Sequence, residues 1–170
     1  MKRAVALIAI AALTLACSHN PRNRTIRADV EKLFGSAVSL PHDIDTVRTL
    51  KIVSYIDRTT CMTCFVDKAQ KWRELCKEEC FDANHVAVCF IVCPEFYAEE
   101  QSAQFEFINN AFRMIRDDED AFKNSHPFVN DAKLCTFLLD ENNKIVLVGS
   151  PIEHESLYDL YAKTIRHHTN

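Results

Sequence analysis

A stretch of β-branched and aromatic residues, Lys51 to Asp57 (KIVSYID), is followed by Cys61-Met-Thr-Cys64 and then by a run with a different period. Phe65, Ala69, Trp72 and Cys76 recur at intervals of four, three and four. That spacing marks one face of an α-helix. Beyond it lies Val86 to Val92 (VAVCFIV), an almost continuous apolar run, which suits a strand buried on both faces. A strand, a helix and a second buried strand in this order restrict the chain severely. The two strands must lie parallel, and the crossover between them must be right-handed.

The rest of the chain extends this pattern. Phe105, Ile108, Phe112 and Ile115 predict a second amphipathic helix. Cys135 to Leu139 and Lys144 to Val148 read as two strands, joined by the turn composition Asp140-Glu-Asn-Asn143. Leu157, Leu160, Tyr161 and Ile165 predict a final helix, and Val30 to Pro41 a short helix followed by an edge strand. The expected fold is α/β, with core order β-α-β-α-β-β-α and a mixed central sheet in a three-layer sandwich. With 48% apolar residues the chain can build that core.

The N-terminus reads as an export signal. Lys2-Arg3 precedes an apolar run from Ala4 to Ala16 that ends at Cys17, the layout of a secretion signal. The cysteine directly after Leu15-Ala16 resembles a bacterial lipoprotein signal, in which Cys17 becomes the lipidated first residue. The expected division is therefore 1–16 signal peptide, 17–29 lipidated tether and 30–170 folded domain. Arg22, Arg24 and Arg27 lie in the tether. An exported protein meets an oxidising compartment, where disulfides persist. Of the eight cysteines, seven remain after Cys17, so at least one is unpaired within the chain.

Cys61-Met-Thr-Cys64 carries the chemistry. At a strand-to-helix junction the unpaired N–H groups and partial positive charge of the helix N-terminus stabilise a thiolate. Cys61 is then a nucleophile at neutral pH. Cys64, one helical turn on, is within reach to resolve a mixed disulfide. The element order and the placement of the pair resemble thioredoxin. Leu33-Phe-Gly35, Leu40-Pro41, the strand before the cysteines, Trp72, and Thr136 to Gly149 followed by Pro151-Ile152 and Leu157-Tyr158 resemble the thioredoxin-like lipoproteins of the Bacteroidetes type. That resemblance spans roughly residues 30 to 165. It implies a membrane-anchored, periplasm-facing thiol–disulfide protein. Two positions depart from the thioredoxin pattern. The proline that thioredoxins place just before the third core strand is missing near Leu134, the nearest being Pro127 seven residues earlier, and Tyr55 stands where thioredoxins carry a buried acid. Met62-Thr63 leaves the direction of electron flow open.

The other thiols are read by position. Cys93, at the end of the second strand, and Cys135, at the start of the next, fall at the sheet edge of the CxxC. They are packing thiols or, alternatively, an auxiliary redox couple. Cys89 is deeper on the same strand, and Cys76 and Cys80 belong to the core or the helix end. Cys61, Cys64, Cys76 and Cys80 also read as C-x2-C-x11-C-x3-C, a zinc-like spacing. The helical periodicity between them carries Cys76 away from Cys61, so no metal is expected. Asp117 to Asp120 (DDED) lacks the EF-hand spacing and reads as a solvated loop. With two glycines and a net charge of −4, neither a phosphate loop nor nucleic acid is expected, and no cofactor pattern is present.

The functional expectation is a thiol–disulfide oxidoreductase of the cell envelope, acting on thiols and disulfides of exported proteins together with a redox partner. It would be held to the membrane by the lipid on Cys17. The alternative is a non-catalytic envelope module with a structural CxxC disulfide.

Overall fold

A computed structural model describes residues 28–41, 50–99 and 103–169. The expected signal peptide, Cys17 and almost all of the expected tether lie outside the described residues. β1 (Leu50–Ile56) is buried along its whole length. It pairs in parallel with β2 (Val86–Val92), from Leu50 opposite Val86 to Ile56 opposite Val92. α1 (Met62–Leu75) joins them and buries Phe65, Ala69, Trp72 and Leu75. The periodicity held for the first three positions. At its end Leu75 takes the buried place, and Cys76 is the half-buried C-cap.

The second predicted helix is shorter than its apolar spacing suggests. α2 (Ala103–Ala111) stops before Phe112, and the chain turns into β3 (Arg113–Arg116), parallel to β2. Ile115 therefore belongs to a strand. Met114 and Ile115 are buried, while Arg113 and Arg116 flank them in solvent. A short, arginine-bounded strand is a common way to close a sheet edge. Spacings of three and four residues are satisfied equally by a helix that ends and a strand that begins one residue later.

β4 (Thr136–Leu139) adds to the other side of β1, antiparallel, and β5 (Ile145–Val148) pairs antiparallel with β4. The sheet order is β3-β2-β1-β4-β5. Between β4 and β5, Asp140 Oδ1 accepts from the N–H groups of Asn142 and Lys144, both at 2.9 Å. Asn143 takes the left-handed φ of 56°, which asparagine tolerates in turns. The predicted hairpin is present. The expected N-terminal edge strand shrinks to a single bridge between Ala37 and Lys144, after a helical turn over 28–33.

Helices cover both faces of the sheet. On one, Phe90 of β2 meets the edges of Phe65 and Trp72 from α1 and of Phe112. α4 (Glu155–Thr169) buries Leu160, Tyr161 and Ile165 and packs on the 3-10 turn Glu79–Phe81 that follows α1. Tyr161 donates its hydroxyl to the Gly149 carbonyl at 2.8 Å. Gly149 has φ 105°, a backbone conformation that favours glycine; a Cβ there would also lie 2.8 Å from Leu157 Cδ1, which would have to shift. On the opposite face, α3 (Ala121–Ser125) stacks Phe122 on Tyr55, and Phe128 meets Phe137 edge-on. Buried His126 stacks on Phe122. Its Nε2 accepts from Ser39 N–H, so the proton sits on Nδ1, which faces the Phe122 carbonyl. This tautomer ties the N-terminal segment to α3.

Asp117 to Asp120 is not wholly the solvated loop expected from its composition. Asp118 and Glu119 are exposed, but Asp117 is 3% exposed. Its two carboxylate oxygens accept from the N–H groups of Phe122 and Lys123 at 2.7 and 3.1 Å. A run of four acids hid a buried helix-capping residue.

Candidate functional site

Cys61 and Cys64 are joined as a disulfide, Cα to Cα 5.3 Å. Cys61 is the N-cap of α1 in extended conformation, and its Sγ accepts from the Cys64 N–H at 3.1 Å. The cysteine itself caps the helix, and the Thr60 N–H closes the preceding turn by donating to the Asp57 carbonyl. No acidic residue occupies the first turn of α1, so nothing neutralises the positive end of the helix dipole there. Both cysteines are exposed, whereas the five other described cysteines are buried or half-buried thiols. Phe65 buries itself directly behind the pair, against Phe90 and Phe96. It anchors the start of α1 to the sheet.

The ends of three strands converge on this junction. Asp57 follows β1 and lies just ahead of the cysteines. Cys93 follows β2, and its N–H donates to the Ile56 carbonyl at 3.0 Å. Cys135 precedes β4, and its carbonyl accepts from Tyr55 N–H at 2.8 Å. Both predicted auxiliary thiols therefore stand beside the end of β1, as the topology required. They lie on opposite sides of that strand, about 10 Å apart at two strand spacings, beyond the reach of a direct disulfide. Burial pushes the Cys93 thiol up, with Glu95 and Asp57 adding to the effect. Burial also pushes Cys135 up, while Lys68 opposes it. Lys68, one turn beyond Cys64, is paired with Glu153 at 2.7 Å.

Tyr55 occupies the place of the expected acid. Its hydroxyl is buried near the Asp117 carboxylate without a hydrogen bond of normal geometry. Burial, then the negative charge of Asp117, pushes its pKa up, so it is a neutral phenol. Asp57, which the sequence left without a role, is paired with Lys123 of α3 at 2.7 Å. Burial works to raise its pKa, but the Lys123 ammonium and the Thr59 N–H outweigh it and hold the carboxyl below its ordinary value. Spacing alone could not have revealed this pair, because its partners lie 66 positions apart.

The remaining cysteines lie elsewhere. Cys76 and Cys89 line a cleft of about 800 Å³ at the starts of β2 and β3, with Arg73, Lys77 and Arg113 around it. Burial raises their pKa values to about 11 and about 12. Cys80 is buried near Arg166. The zinc-like spacing does not converge, because α1 separates Cys61 from Cys76 by about 20 Å at 1.5 Å per residue. Among the described residues no group of three or more histidines, cysteines or acids is placed to hold a metal ion. No described helix is long and apolar enough to cross a membrane.

No protein-family model matches the chain, and no curated protein does. Solved structures do match. A domain described as a possible thiol-disulfide isomerase, from Cytophaga hutchinsonii, superposes with TM-score 0.52 at 16% identity, over 79% of this chain and 97% of that one. A thioredoxin-like protein from Bacteroides caccae gives TM-score 0.46 at 9% identity, over 88% of this chain, which spans 58% of its length. The Xanthomonas campestris bacterioferritin comigratory protein gives 0.43 at 13% identity, over 72% and 81%. The mixed five-stranded sheet, helices on both faces and the CxxC at the head of α1 give this chain a thioredoxin-like fold.

Proposed function

We propose that this protein is a membrane-anchored thiol–disulfide oxidoreductase that acts on exported proteins. The observation that carries the reading is the Cys61 Sγ at the N-cap of α1, accepting the Cys64 N–H in an exposed position. An N-cap sulfur facing unpaired amides is stabilised as thiolate. In the reducing direction the Cys61 thiolate attacks a substrate disulfide, and one substrate sulfur leaves as a thiolate. The Cys64 thiolate then attacks Cys61 Sγ, releases the second substrate thiolate and closes the Cys61–Cys64 disulfide. The same steps reversed oxidise a dithiol, and the reduction potential of the partner sets the direction. Cys93 and Cys135, buried and half-buried beside the end of β1, are packing thiols in this reading, with an auxiliary redox role as the alternative. The anchor is a lipid on Cys17, placing the domain in the cell envelope, facing the periplasm.

A second reading, a partner-binding module with a structural disulfide, draws on Leu134. It is buried near the place where the resemblance to thioredoxins would put the proline of their substrate groove. The two readings separate by trapping. A Cys64→Ser variant expressed in its envelope should accumulate mixed disulfides on Cys61 that dithiothreitol releases. A Cys61→Ser variant should trap none, and its insulin reduction should fall at least a hundredfold. Equal trapping by both variants, or none by either, favours the binding module.

A further inference from the structure

The turn ahead of the CxxC is held by a run of polar contacts that begins on the far side of the sheet edge. Asp117, just after β3, fixes the first turn of α3 through the N–H groups of Phe122 and Lys123. The Lys123 ammonium then donates to Asp57 Oδ2 at 2.7 Å. Asp57 Oδ1 accepts from Thr59 N–H at 3.1 Å, and the Asp57 carbonyl accepts from Thr60 N–H at 2.9 Å. The next residue is Cys61.

We propose that Lys123 is a positioning residue for Cys61, acting through Asp57: it neutralises that carboxylate and holds the Asp57–Thr60 turn that delivers Cys61 to the N-cap of α1. The proposal rests on reading Cys61 as the nucleophile. The pair is more sheltered than an ordinary surface ion pair, with side chains 15% and 26% exposed, so solvent screens it less. Without Lys123, an unpaired carboxylate would stand four residues before the thiolate and oppose its formation. The other charges nearby are largely matched. Arg58 faces Glu95 at 3.5 Å, and Lys68 faces Glu153. Asp120 acts on Lys123 from the head of α3. The neighbouring thiol, Cys93, is itself raised by burial and by these acids.

The test is the pH profile of Cys61 alkylation in the reduced full-length chain, read by peptide mass spectrometry. Lys123→Met should move the profile to higher pH and slow alkylation at pH 7 about threefold, the order expected of one partly screened charge. Lys123→Arg should restore it. Asp57→Asn, which keeps an acceptor for Thr59, should move the profile to lower pH by leaving the ammonium unpaired. The double variant should return close to the parent. A Lys123→Met profile that superimposes on the parent overturns the proposal. If Lys123→Met does not fold, an unshifted Asp57→Asn profile does the same. Alkylation needs no substrate, so it reports independently of exchange. A parent that fails to reduce insulin yet shows the Lys123 shift sinks the functional reading and leaves this one standing.

Discussion

The two ends of α1 each carry a cysteine, and they are opposites. Cys61 caps the N-terminus, exposed, with its sulfur receiving a backbone N–H. Cys76 caps the C-terminus, half-buried, and burial pushes its pKa to about 11. The helix dipole favours a thiolate at the first place and disfavours one at the second. Solvation acts in the same sense, since a desolvated thiolate is costly. The residue type is shared, so reactivity follows from the end of the helix and the depth of the sulfur.

That contrast can be broken in order of expected effect. The largest is the ratio of alkylation rates in the reduced protein at pH 7. Near pKa 11 only about one Cys76 in ten thousand is thiolate. Cys61 should therefore react about three orders of magnitude faster than Cys76. Raising the pH should narrow the gap, because the Cys76 thiolate fraction keeps growing up to about pH 11 while that of Cys61 has already saturated. Equal rates at pH 7 would show that the N-cap confers nothing. A smaller effect should follow from placing a charge in the first turn, where none exists. Thr63→Glu, at an exposed position, should raise the Cys61 pKa and slow its alkylation a few-fold at pH 7 while leaving Cys76 unchanged. A matching change at Cys76 would point to altered folding rather than local charge.

Much of this contrast was legible in the residues alone. β-branched and aromatic composition located β1, a period of 3.6 located α1, and the CxxC fell between them with its chemistry implied. The apolar run Val86–Val92 gave the parallel partner. The missed pieces share a cause: their meaning lies in partners distant along the chain. β3 was hidden because Phe112 and Ile115 continue a helical interval across a helix end, and only the open edge of β2 explains why the chain extends there. Asp117 was hidden in a run of acids, although it alone of the four is buried. Its role became visible once α3 was seen to begin on its carboxylate. Asp57 needed Lys123, which no local pattern connects to it. Cys93 and Cys135 were placed correctly at the end of β1 by topology, but their separation across that strand required the register.

The central claim is that Cys61–Cys64 is a working redox couple rather than a permanent staple. The direct measurement equilibrates the full-length chain across a series of glutathione potentials, quenches with alkylating agent and reads each cysteine by mass spectrometry. The account predicts that Cys61 and Cys64 convert together, as a two-electron couple, from disulfide to dithiol within the glutathione range, while Cys89 stays a free thiol throughout. A Cys61–Cys64 disulfide that persists at every potential in that range would contradict it.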